Sequence, residues 1–401
     1  MEDNQCELFD FISLNVDKDP AVLLLKLKKN DYRFDLNFAV TQIDCRKRNS
    51  EKLRFFLSNP KFLFPDKISG EQSTHQAVAK YHAEMVKGSR NILDMTAGLG
   101  IDALSMADKV TKVTAIELNT NKADTLKHNL KILGVSNMNV INADSIEYLR
   151  NTQEWYDCIF IDPARRDASD KRLYKFQDCS PDVIANQDLL LKHTNRILIK
   201  GSPLLDITQT LKDFNNITAI HAIGVKGECK ELLIEIIPNL FNLKKNQISV
   251  EAVNLDSEGR ILSHFSETLN AHTSSDIPYA SDKDLKSDCY ILEPSAMIMK
   301  LAPWKSICTR YQALKFDKSS HLFVSSVYPE NFPGRVTRFE KTLTKQDRKS
   351  FLGFPASVVS KNHPLSADEL RKNFQLKEGD ENYIYATRIM NKPVIFLTRK
   401  V

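Results

Sequence analysis

Between residues 91 and 238 the chain alternates apolar runs with amphipathic stretches, which predicts alternating strands and helices. The apolar runs predict strands at 92–94, 112–117, 138–144, 156–162 and 196–200. Helical spacing predicts helices at 101–108, 119–133, 145–150, 183–193 and 206–214. Two more strands follow, at 217–223 and 231–237. The pattern therefore predicts an α/β fold with a doubly wound, mostly parallel sheet, in which ligands bind at the carboxyl ends of the strands.

The regions on either side follow other patterns. Residues 1–70 favour helices, and residues 247–265 predict a β-hairpin around a turn. Smaller α+β patterns follow at 289–328 and 335–398, the second with a helix whose Ser366 starts a capping box.

A helix is also predicted at 71–86, directly before the first strand. Ser73 or Thr74 is the expected N-cap, because Ser and Thr hydroxyls accept hydrogen bonds from the first N–H groups of a helix. His75 and His82 are expected to be surface or packing residues of this helix.

Composition narrows the class of protein. The chain has 401 residues, a net charge of +5, no apolar run long enough to span a membrane and a polar N-terminus unlike a signal peptide. Its seven cysteines are scattered without a Cys-x-x-Cys pair, which favours reduced thiols over a zinc site. We expect a cytoplasmic protein without metal. The sequence does not indicate an oligomeric state.

The charge is unevenly distributed. Residues 285–401 contain 20 Lys and Arg against 11 Asp and Glu, a net charge of +9, whereas the rest of the chain carries −4. A basic C-terminal part is typical of a nucleic-acid contact, although it also serves solubility.

A glycine turn follows the first predicted strand, after Asp94. Gly98 and Gly100 lie in this turn, where the absence of Cβ lets a ligand approach the backbone. No Gly-Lys-Ser/Thr sequence ends the turn, and Ala103 occupies the third glycine position of the dinucleotide-binding pattern. The acidic residue before the turn instead favours a ligand with an ammonium group.

Acidic residues end each of the first four predicted strands of the α/β region: Asp94, Glu117, Asp144 and Asp162. Glu117 has the spacing of a carboxylate that accepts both ribose hydroxyls of a nucleoside cofactor. Asp144 is placed to accept from an adenine amine. The sequence therefore predicts a nucleoside cofactor at this edge of the sheet.

These segments resemble motifs I to IV of class I S-adenosylmethionine-dependent methyltransferases. The resemblance rests on Leu-Asp-Met-Thr-Ala-Gly-Leu-Gly at 93–100, Ala-Ile-Glu at 115–117, Asn-Ala-Asp at 142–144 and Ile-Phe-Ile-Asp-Pro-Ala-Arg at 159–165. It implies a Rossmann-like sheet and S-adenosylmethionine bound by Asp94, Thr96, Ala97, Gly98, Gly100, Glu117, Leu118, Asp144 and Ser145.

The whole chain resembles a bacterial family with ferredoxin-like and THUMP-like C-terminal domains. This implies a helical region at 1–70, a methyltransferase domain at 71–240, a hairpin and ferredoxin-like domain at 241–326 and a THUMP-like domain at 327–401. THUMP domains generally present RNA to a modifying domain, so the resemblance implies an RNA partner. The phosphate contacts expected in the last domain are Arg335, Arg338, Lys341, Lys345, Arg348 and Lys349.

The sequence Asp162-Pro163-Ala164-Arg165 lies nearest the expected chemistry. Related Asp/Asn-Pro-Pro-aromatic loops hold the target amine in enzymes that methylate amino groups of nucleic acids. Here Ala164 replaces the second proline and Arg165 replaces the aromatic residue. We expect Asp162, Pro163 and Arg165 to be catalytic, and no metal is needed for the transfer.

The segment after this loop is basic. Arg165, Arg166, Arg172 and Tyr174 are the expected substrate-binding residues, with phosphate contacts and base stacking as their roles. A solvated charged loop is the alternative. An alternative chemistry is attack by Cys179 on a pyrimidine, followed by methylation of carbon.

These patterns together predict an S-adenosylmethionine-dependent methyltransferase that modifies a base nitrogen in structured RNA, such as tRNA or rRNA. Two alternatives remain open from the sequence. One is a methyltransferase of a small molecule or protein, and the other is a non-catalytic RNA-binding protein that retains the cofactor fold.

Overall fold

The computed structural model describes residues 2–27, 31–165, 175–238, 247–269 and 277–401 of the chain. The chain divides into two compact units. The first holds Met1–Lys226, Lys230–Asn242 and Leu255–Leu262, and the second holds the remaining residues. Within the described ranges, no helix has the length and apolar character needed to cross a membrane.

The N-terminal region is helical, as the sequence predicts. Its helices are α1 (Glu2–Asn15), α2 (Pro20–Lys26), α3 (Leu36–Arg48), α4 (Arg54–Leu57) and α5 (Lys67–Gln72). Asp19 and Asp35 cap α2 and α3, because each carboxylate accepts hydrogen bonds from two N–H groups of the first turn. Ile12, Val40 and Ile43 belong to the buried apolar cluster that joins α1, α2 and α3.

Helix α6 (Gln76–Met85) begins later than predicted. The expected cap by Ser73 or Thr74 is wrong. His75 is the N-cap, and its Nδ1 accepts from the backbone N–H of Ala77 at 3.1 Å. Thr74 is buried and faces other side chains, which places it in the candidate site described below.

The first unit contains the predicted sheet. Its strands are β1 (Asn91–Asp94), β2 (Lys112–Glu117), β3 (Met138–Asn142), β4 (Cys158–Ile161), β7 (Ile197–Gly201), β8 (Ile217–Val225) and β9 (Glu228–Ile236), with the short hairpin β5 (Ala164–Arg165) and β6 (Cys179–Ser180) between β4 and β7. Across the sheet they run in the order β8-β9-β7-β4-β1-β2-β3. The pairs of β1 with β2 and β4, β2 with β3, and β4 with β7 are parallel. Strand β9, in contrast, pairs antiparallel with its neighbour β7. The doubly wound α/β sheet predicted from the sequence is therefore confirmed.

Helices connect these strands: α7 (Ile101–Ala107), α8 (Thr120–Leu133), α9 (Ser145–Asn151), α10 (Gln187–Leu191) and α11 (Ile207–Asp213). Helix α8 matches its sequence pattern closely, with Asn119 as N-cap and Gly134 in the left-handed region as C-cap. Helix α10 is shorter than the predicted 183–193, because the residues before Gln187 form turns. These connections place the carboxyl ends of β1, β2, β3 and β4 along one edge.

The second part of the chain contains the predicted hairpin, β10 (Ser249–Leu255) and β11 (Ile261–Thr268), followed by a seven-stranded sheet. The strands of this sheet are β12 (Tyr290–Pro294), β13 (Ala313–Lys315), β14 (Phe323–Ser325), β15 (Gly334–Thr342), β16 (Ser357–Ser360), β17 (Asn382–Ile389) and β18 (Lys392–Lys400). Helices α12 (Ala296–Leu301), α13 (Trp304–Arg310) and α14 (Ala367–Phe374) accompany them.

One sheet runs through the predicted ferredoxin-like and THUMP-like segments, in the order β13-β14-β12-β15-β18-β17-β16. Strand β12 pairs antiparallel with β15, so that Tyr290 lies opposite Arg338. The capping box predicted at Ser366 and Glu369 is present at the start of α14. The two segments thus share one continuous sheet, and the boundaries assigned to them from the sequence stay predictions.

Candidate functional site

The glycine turn lies where the sequence predicts it, between β1 and α7. Gly98 and Gly100 have φ angles of 55° and 84°, in the left-handed region that favours glycine. The backbone N–H of Gly100 donates to the carbonyl of Ala97 at 2.7 Å, which closes the turn. A Cβ at Gly100 would lie 2.2 Å from Cδ1 of Leu126, so the turn also lies tightly against α8.

The carboxylate of Glu117, at the end of β2, faces this turn. Its Oε2 accepts from the backbone N–H of Gly98 and its Oε1 from that of Asn119, both at 2.8 Å. Asp144 lies between β3 and α9. Its Oδ1 caps α9 by accepting from the backbone N–H groups of Ile146 and Glu147. The acidic ends of adjacent strands are therefore held in fixed positions by backbone hydrogen bonds.

A cavity of about 1000 Å³ opens above these strand ends. That volume is at the upper end of the range for ligand-binding clefts. Its wall contains the predicted residues Thr96, Ala97, Gly98, Gly100, Glu117, Leu118, Asp144, Ser145, Asp162 and Pro163. The structure thus brings together almost every residue that the sequence analysis assigned to the cofactor and to catalysis.

Asp94 lies behind this wall. Its side chain is buried, and the residue, 1% exposed, is not among those that line the cavity. Its Oδ1 accepts from the backbone N–H of Thr96 at 2.9 Å. Burial, reinforced by the nearby carboxylates of Asp102 and Asp162, raises the pKa of Asp94 to about 8. Its expected contact with the ammonium of a cofactor stays a prediction.

Asp162 lies on the side of the cavity next to the glycine turn. Its backbone N–H donates to Oγ1 of Thr96 at 2.7 Å, which fixes the start of the loop after β4. Its Oδ2 accepts from the ammonium of Lys200 at 2.5 Å, while 43% of its side chain remains exposed. Lys200 therefore holds one oxygen of the Asp162 carboxylate, while the rest of that side chain is open to the cavity.

Lys200, near the end of β7, is the centre of a buried polar cluster. Its ammonium also donates to Oγ1 of Thr74 at 2.7 Å and lies 3.5 Å from Asp102 and 3.8 Å from Glu231. Burial lowers the pKa of the ammonium, but the carboxylates of Asp162, Asp102 and Glu231 outweigh burial and raise that pKa above its ordinary value. Lys200 is therefore a buried cation at neutral pH.

His82, on α6, completes this cluster. Its Nδ1 lies 2.8 Å from Oδ1 of Asp102 and its Nε2 lies 2.7 Å from Oε1 of Glu231. Burial lowers the pKa of His82, but the two carboxylates raise it to about 9, so the imidazole is protonated at neutral pH. The expectation that His82 is a mere packing residue is incomplete, because it bridges two buried carboxylates.

The sequence analysis missed this cluster, because its members come from separate segments of the chain between Thr74 and Glu231. A sequence signal for it was nevertheless present. Polar side chains at Thr74, His82, Asp102, Lys200 and Glu231 interrupt apolar stretches that the fold buries. Buried charged groups need partners, so such interruptions indicate a network even though they do not identify its pairs.

The loop after Asp162 is described only in part. Ala164 and Arg165 pair with Ser180 and Cys179 in the β5–β6 hairpin. Cys179 lines the cavity, so the thiol considered as a nucleophile lies at the candidate site. The side chain of Arg165 and the predicted substrate residues Arg166, Arg172 and Tyr174 lie outside the described residues.

Phe176, an aromatic residue in the cavity wall, is 2% exposed and packs edge-on against Phe214 with ring centroids 5.0 Å apart. Phe176 is therefore a core residue of the cavity wall.

The six basic residues predicted to contact phosphate are all exposed. Two of them already have carboxylate partners: Arg335 is 2.8 Å from Glu293, and Lys341 is 2.9 Å from Asp347. In the described part of the chain, the other four have no carboxylate within salt-bridge distance: Arg338, Lys345, Arg348 and Lys349. These four are better placed to accept an external anion.

Three known families match successive parts of the sequence. A family described as "Putative SAM-dependent methyltransferase" matches residues 23–176. A ferredoxin-like domain matches residues 290–333, and a THUMP domain-like family matches residues 334–400. The order of these matches is the order predicted from the sequence.

A crystal structure described as "putative methyltransferase from Porphyromonas gingivalis W83" has a similar fold. The similarity covers 98% of this chain and 97% of that chain, with a TM-score of 0.86 and 28% sequence identity. Curated relatives match shorter stretches. An uncharacterised RNA methyltransferase of Mycoplasma mobile is 32% identical over 21% of this chain and 23% of its own length. Ribosomal RNA small subunit methyltransferase J of Francisella philomiragia is 36% identical over 19% of this chain and 35% of its own length.

The chain thus spans about a quarter to a third of the length of these two curated relatives. The match to the Porphyromonas protein, in contrast, extends over nearly the whole of both chains and includes both C-terminal segments. Family matches, order of domains and fold agree. The chain therefore combines a segment that matches a SAM-dependent methyltransferase family with C-terminal segments that match a ferredoxin-like domain and a THUMP-like domain, on a fold similar to that of a methyltransferase crystal structure.

Proposed function

We propose that this protein is an S-adenosylmethionine-dependent methyltransferase that modifies a base nitrogen in structured RNA, such as tRNA or rRNA. The observation that carries the proposal is a single cavity. It has the glycine turn and the carboxylates of Glu117 and Asp144 in its wall, and the exposed carboxylate of Asp162 beside them.

The cavity fits the cofactor on three counts. Each oxygen of Glu117 accepts one backbone N–H, and a carboxylate oxygen has a second lone pair with which it can accept a ribose hydroxyl. Asp144 lines the cavity and can accept from the adenine amine. Leu118, 69% exposed and also in the wall, offers an apolar surface to the adenine ring. When bound, S-adenosylmethionine supplies an electrophilic methyl group.

Asp162 is proposed to hold the acceptor. Its carboxylate can accept a hydrogen bond from an exocyclic amine, which turns the nitrogen lone pair toward the methyl group. In the transfer the nitrogen–carbon bond would form as the sulfur–carbon bond breaks, and the amine would lose one proton to the Asp162 carboxylate or to water. Pro163 and Arg165 are proposed to shape the loop and to contact the base or its phosphate.

RNA is proposed as the substrate on two grounds. Two curated relatives are described as an RNA methyltransferase and a ribosomal RNA methyltransferase. The C-terminal residues carry exposed basic side chains that lack carboxylate partners in the described ranges. The seven cysteines, all within those ranges, are thiols without disulfides, which suits action in the cytoplasm.

A second candidate is methylation of a pyrimidine carbon, favoured by the position of Cys179 in the cavity wall. In that reaction the thiolate adds to C6, the methyl group is transferred to C5, and loss of the C5 proton releases the thiolate. RNA containing 5-fluorouracil would trap the thiol adduct, because fluorine replaces the C5 proton whose loss releases the thiolate. Trapping by wild type and not by Cys179→Ser would favour this chemistry over amine methylation.

The main proposal is tested with S-adenosylmethionine labelled in its methyl group and RNA from cells that lack the gene. The wild-type protein should transfer label to RNA, and digestion should place it in one nucleoside. Asp162→Ala should bind the cofactor product with near-normal affinity yet transfer no label. Normal transfer by Asp162→Ala would refute the role of this carboxylate.

A further inference from the structure

The buried cluster beneath the cavity points to a role for Lys200. Lys200 lines the cavity, but only 8% of its side chain is exposed. An ammonium has three N–H groups and no acceptor. One is used by Asp162 at 2.5 Å and one by Thr74 at 2.7 Å, and the third faces the carboxylates of Asp102 at 3.5 Å and Glu231 at 3.8 Å. The ammonium is thus surrounded by four polar side chains of the protein itself.

Each partner of Lys200 is fixed in turn. The hydroxyl of Thr74 accepts from Lys200 and donates to Oδ2 of Asp102. His82 holds the other oxygen of Asp102 and one oxygen of Glu231. Because the imidazole is protonated, two cations and three carboxylates form one cluster, and all but Asp162 are buried. The ammonium therefore cannot move away without leaving buried charges unpaired.

Asp162 is held at two points. Thr96 accepts from its backbone N–H, and Lys200 binds its Oδ2. Fixing both the backbone and one carboxylate oxygen sets the plane of the carboxylate relative to the cavity.

We propose that Lys200 is a positioning residue for methyl transfer: it acts through Asp162, by holding that carboxylate in the orientation that receives the acceptor amine. This inference rests on the proposed function. Since a misplacement of about 1 Å can cost about 100-fold in rate, loss of Lys200 should reduce turnover without reducing binding of either ligand.

The test compares turnover with binding in Lys200→Met. We expect kcat for transfer to RNA to fall about 100-fold, while KM for RNA and Kd for S-adenosylhomocysteine stay within about threefold of wild type. Lys200→Met leaves an excess of buried negative charge and can fail to fold. The variant Lys200→Met/Glu231→Gln keeps the buried charge balanced and should show the same loss. Lys212→Met, on the exposed face of α11, is the matched control and should behave as wild type.

Chemical rescue separates positioning from a purely structural role. Lys200→Ala should leave a hole open to the cavity, which methylammonium can enter to replace the ammonium beside Asp162. We expect methylammonium to raise kcat of Lys200→Ala at least tenfold and to leave kcat of Asp162→Ala unchanged.

The possible outcomes are distinct. If wild type transfers and the folded, charge-balanced variant transfers equally well, the role of Lys200 is refuted and the proposed function stands. If the loss appears in KM or in Kd instead of kcat, positioning is likewise refuted. If wild type transfers no methyl group to any RNA, the proposed function fails and the role of Lys200 fails with it.

Discussion

The backbone N–H of Gly98 donates to Oε2 of Glu117 at 2.8 Å, which joins the turn after β1 directly to the end of β2. The Asn119 N–H occupies the other oxygen of the same carboxylate. Two features that lie 19 residues apart in the sequence are thus one structural unit. Because both lie in the cavity wall, a change at Glu117 alters the cavity wall and the turn together.

Glu117→Gln should weaken binding of S-adenosylhomocysteine. Hydrogen bonds to a charged group contribute about 1.5–3 kcal/mol, so we expect Kd to rise by about 10- to 100-fold. Isothermal titration calorimetry measures this directly. Asp124→Asn, an exposed position on α8, removes a carboxylate of the same unit and should leave Kd unchanged. Unchanged affinity in Glu117→Gln would remove this residue from the cofactor site.

Gly100→Ala should destabilise the fold much more than Gly134→Ala. Both glycines have positive φ, 84° and 69°, so alanine is strained by about 1–2 kcal/mol at either position. At Gly100 the new Cβ also meets Leu126 at 2.2 Å, whereas at Gly134 no atom lies within 4 Å. Overpacking adds about 1–3 kcal/mol to the loss at Gly100. Urea unfolding of the two variants compares the losses, and equal losses would contradict the tight packing of the turn on α8.

Cofactor binding should depend on pH through Asp94. The folded-state pKa of about 8 means that the carboxyl is protonated at neutral pH in the ligand-free protein. If Asp94 pairs with the ammonium of the ligand, binding releases this proton. Affinity should then rise with pH, by up to about tenfold per unit below pH 8, and level off above it. Calorimetry from pH 6 to 9 tests this, with Asp94→Asn as the variant that should bind weakly and without this dependence. A flat profile in wild type would show that Asp94 does not ionise on binding.

The same raised pKa has a consequence for stability. An aspartate whose pKa is higher in the folded than in the unfolded state favours unfolding once the unfolded chain ionises. Its contribution is therefore unfavourable above the ordinary pKa of aspartate and grows until about pH 8. Bound cofactor should offset this loss, and the increase in Tm on adding S-adenosylhomocysteine should be larger at pH 8 than at pH 6.

Two pairs of basic residues should differ in RNA binding. Lys345→Ala/Arg348→Ala removes two cations that have no carboxylate partner in the described ranges. Arg335→Ala/Lys341→Ala removes two cations that Glu293 and Asp347 already neutralise. Each phosphate contact adds about 0.7–0.9 to the salt slope of binding, so the first variant should lower the slope by about 1.5 and the second by much less. Fluorescence anisotropy with labelled RNA measures both, and equal slopes would contradict the assignment.

Local patterns account for most of what could be predicted from the sequence. The alternation of apolar runs with helical patterns predicted the sheet. Asn119 and Gly134, residue types typical of helix caps, mark the two ends of α8. The acidic residues were found at the ends of predicted strands. They were expected to lie together because parallel strands place their carboxyl ends at one edge of the sheet. In each of these cases a short local pattern is enough to identify the residue.

The remainder depends on contacts between distant residues. Thr74 has the sequence context of a helix cap, yet its hydroxyl binds Lys200 and Asp102, and His75 takes the cap. Burial of Asp94 behind the turn likewise follows from packing and not from its neighbours in the chain. The ion pair between Lys200 and Asp162 joins residues 38 positions apart, and nothing in the sequence around either residue predicts it.

The most direct test of the account is mass spectrometry of nucleosides from total RNA of cells with and without this gene. We predict that one methylated nucleoside is lost with the gene, returns with the wild-type protein, and does not return with Asp162→Ala. An identical set of methylated nucleosides in both strains would contradict the proposal that this protein methylates RNA.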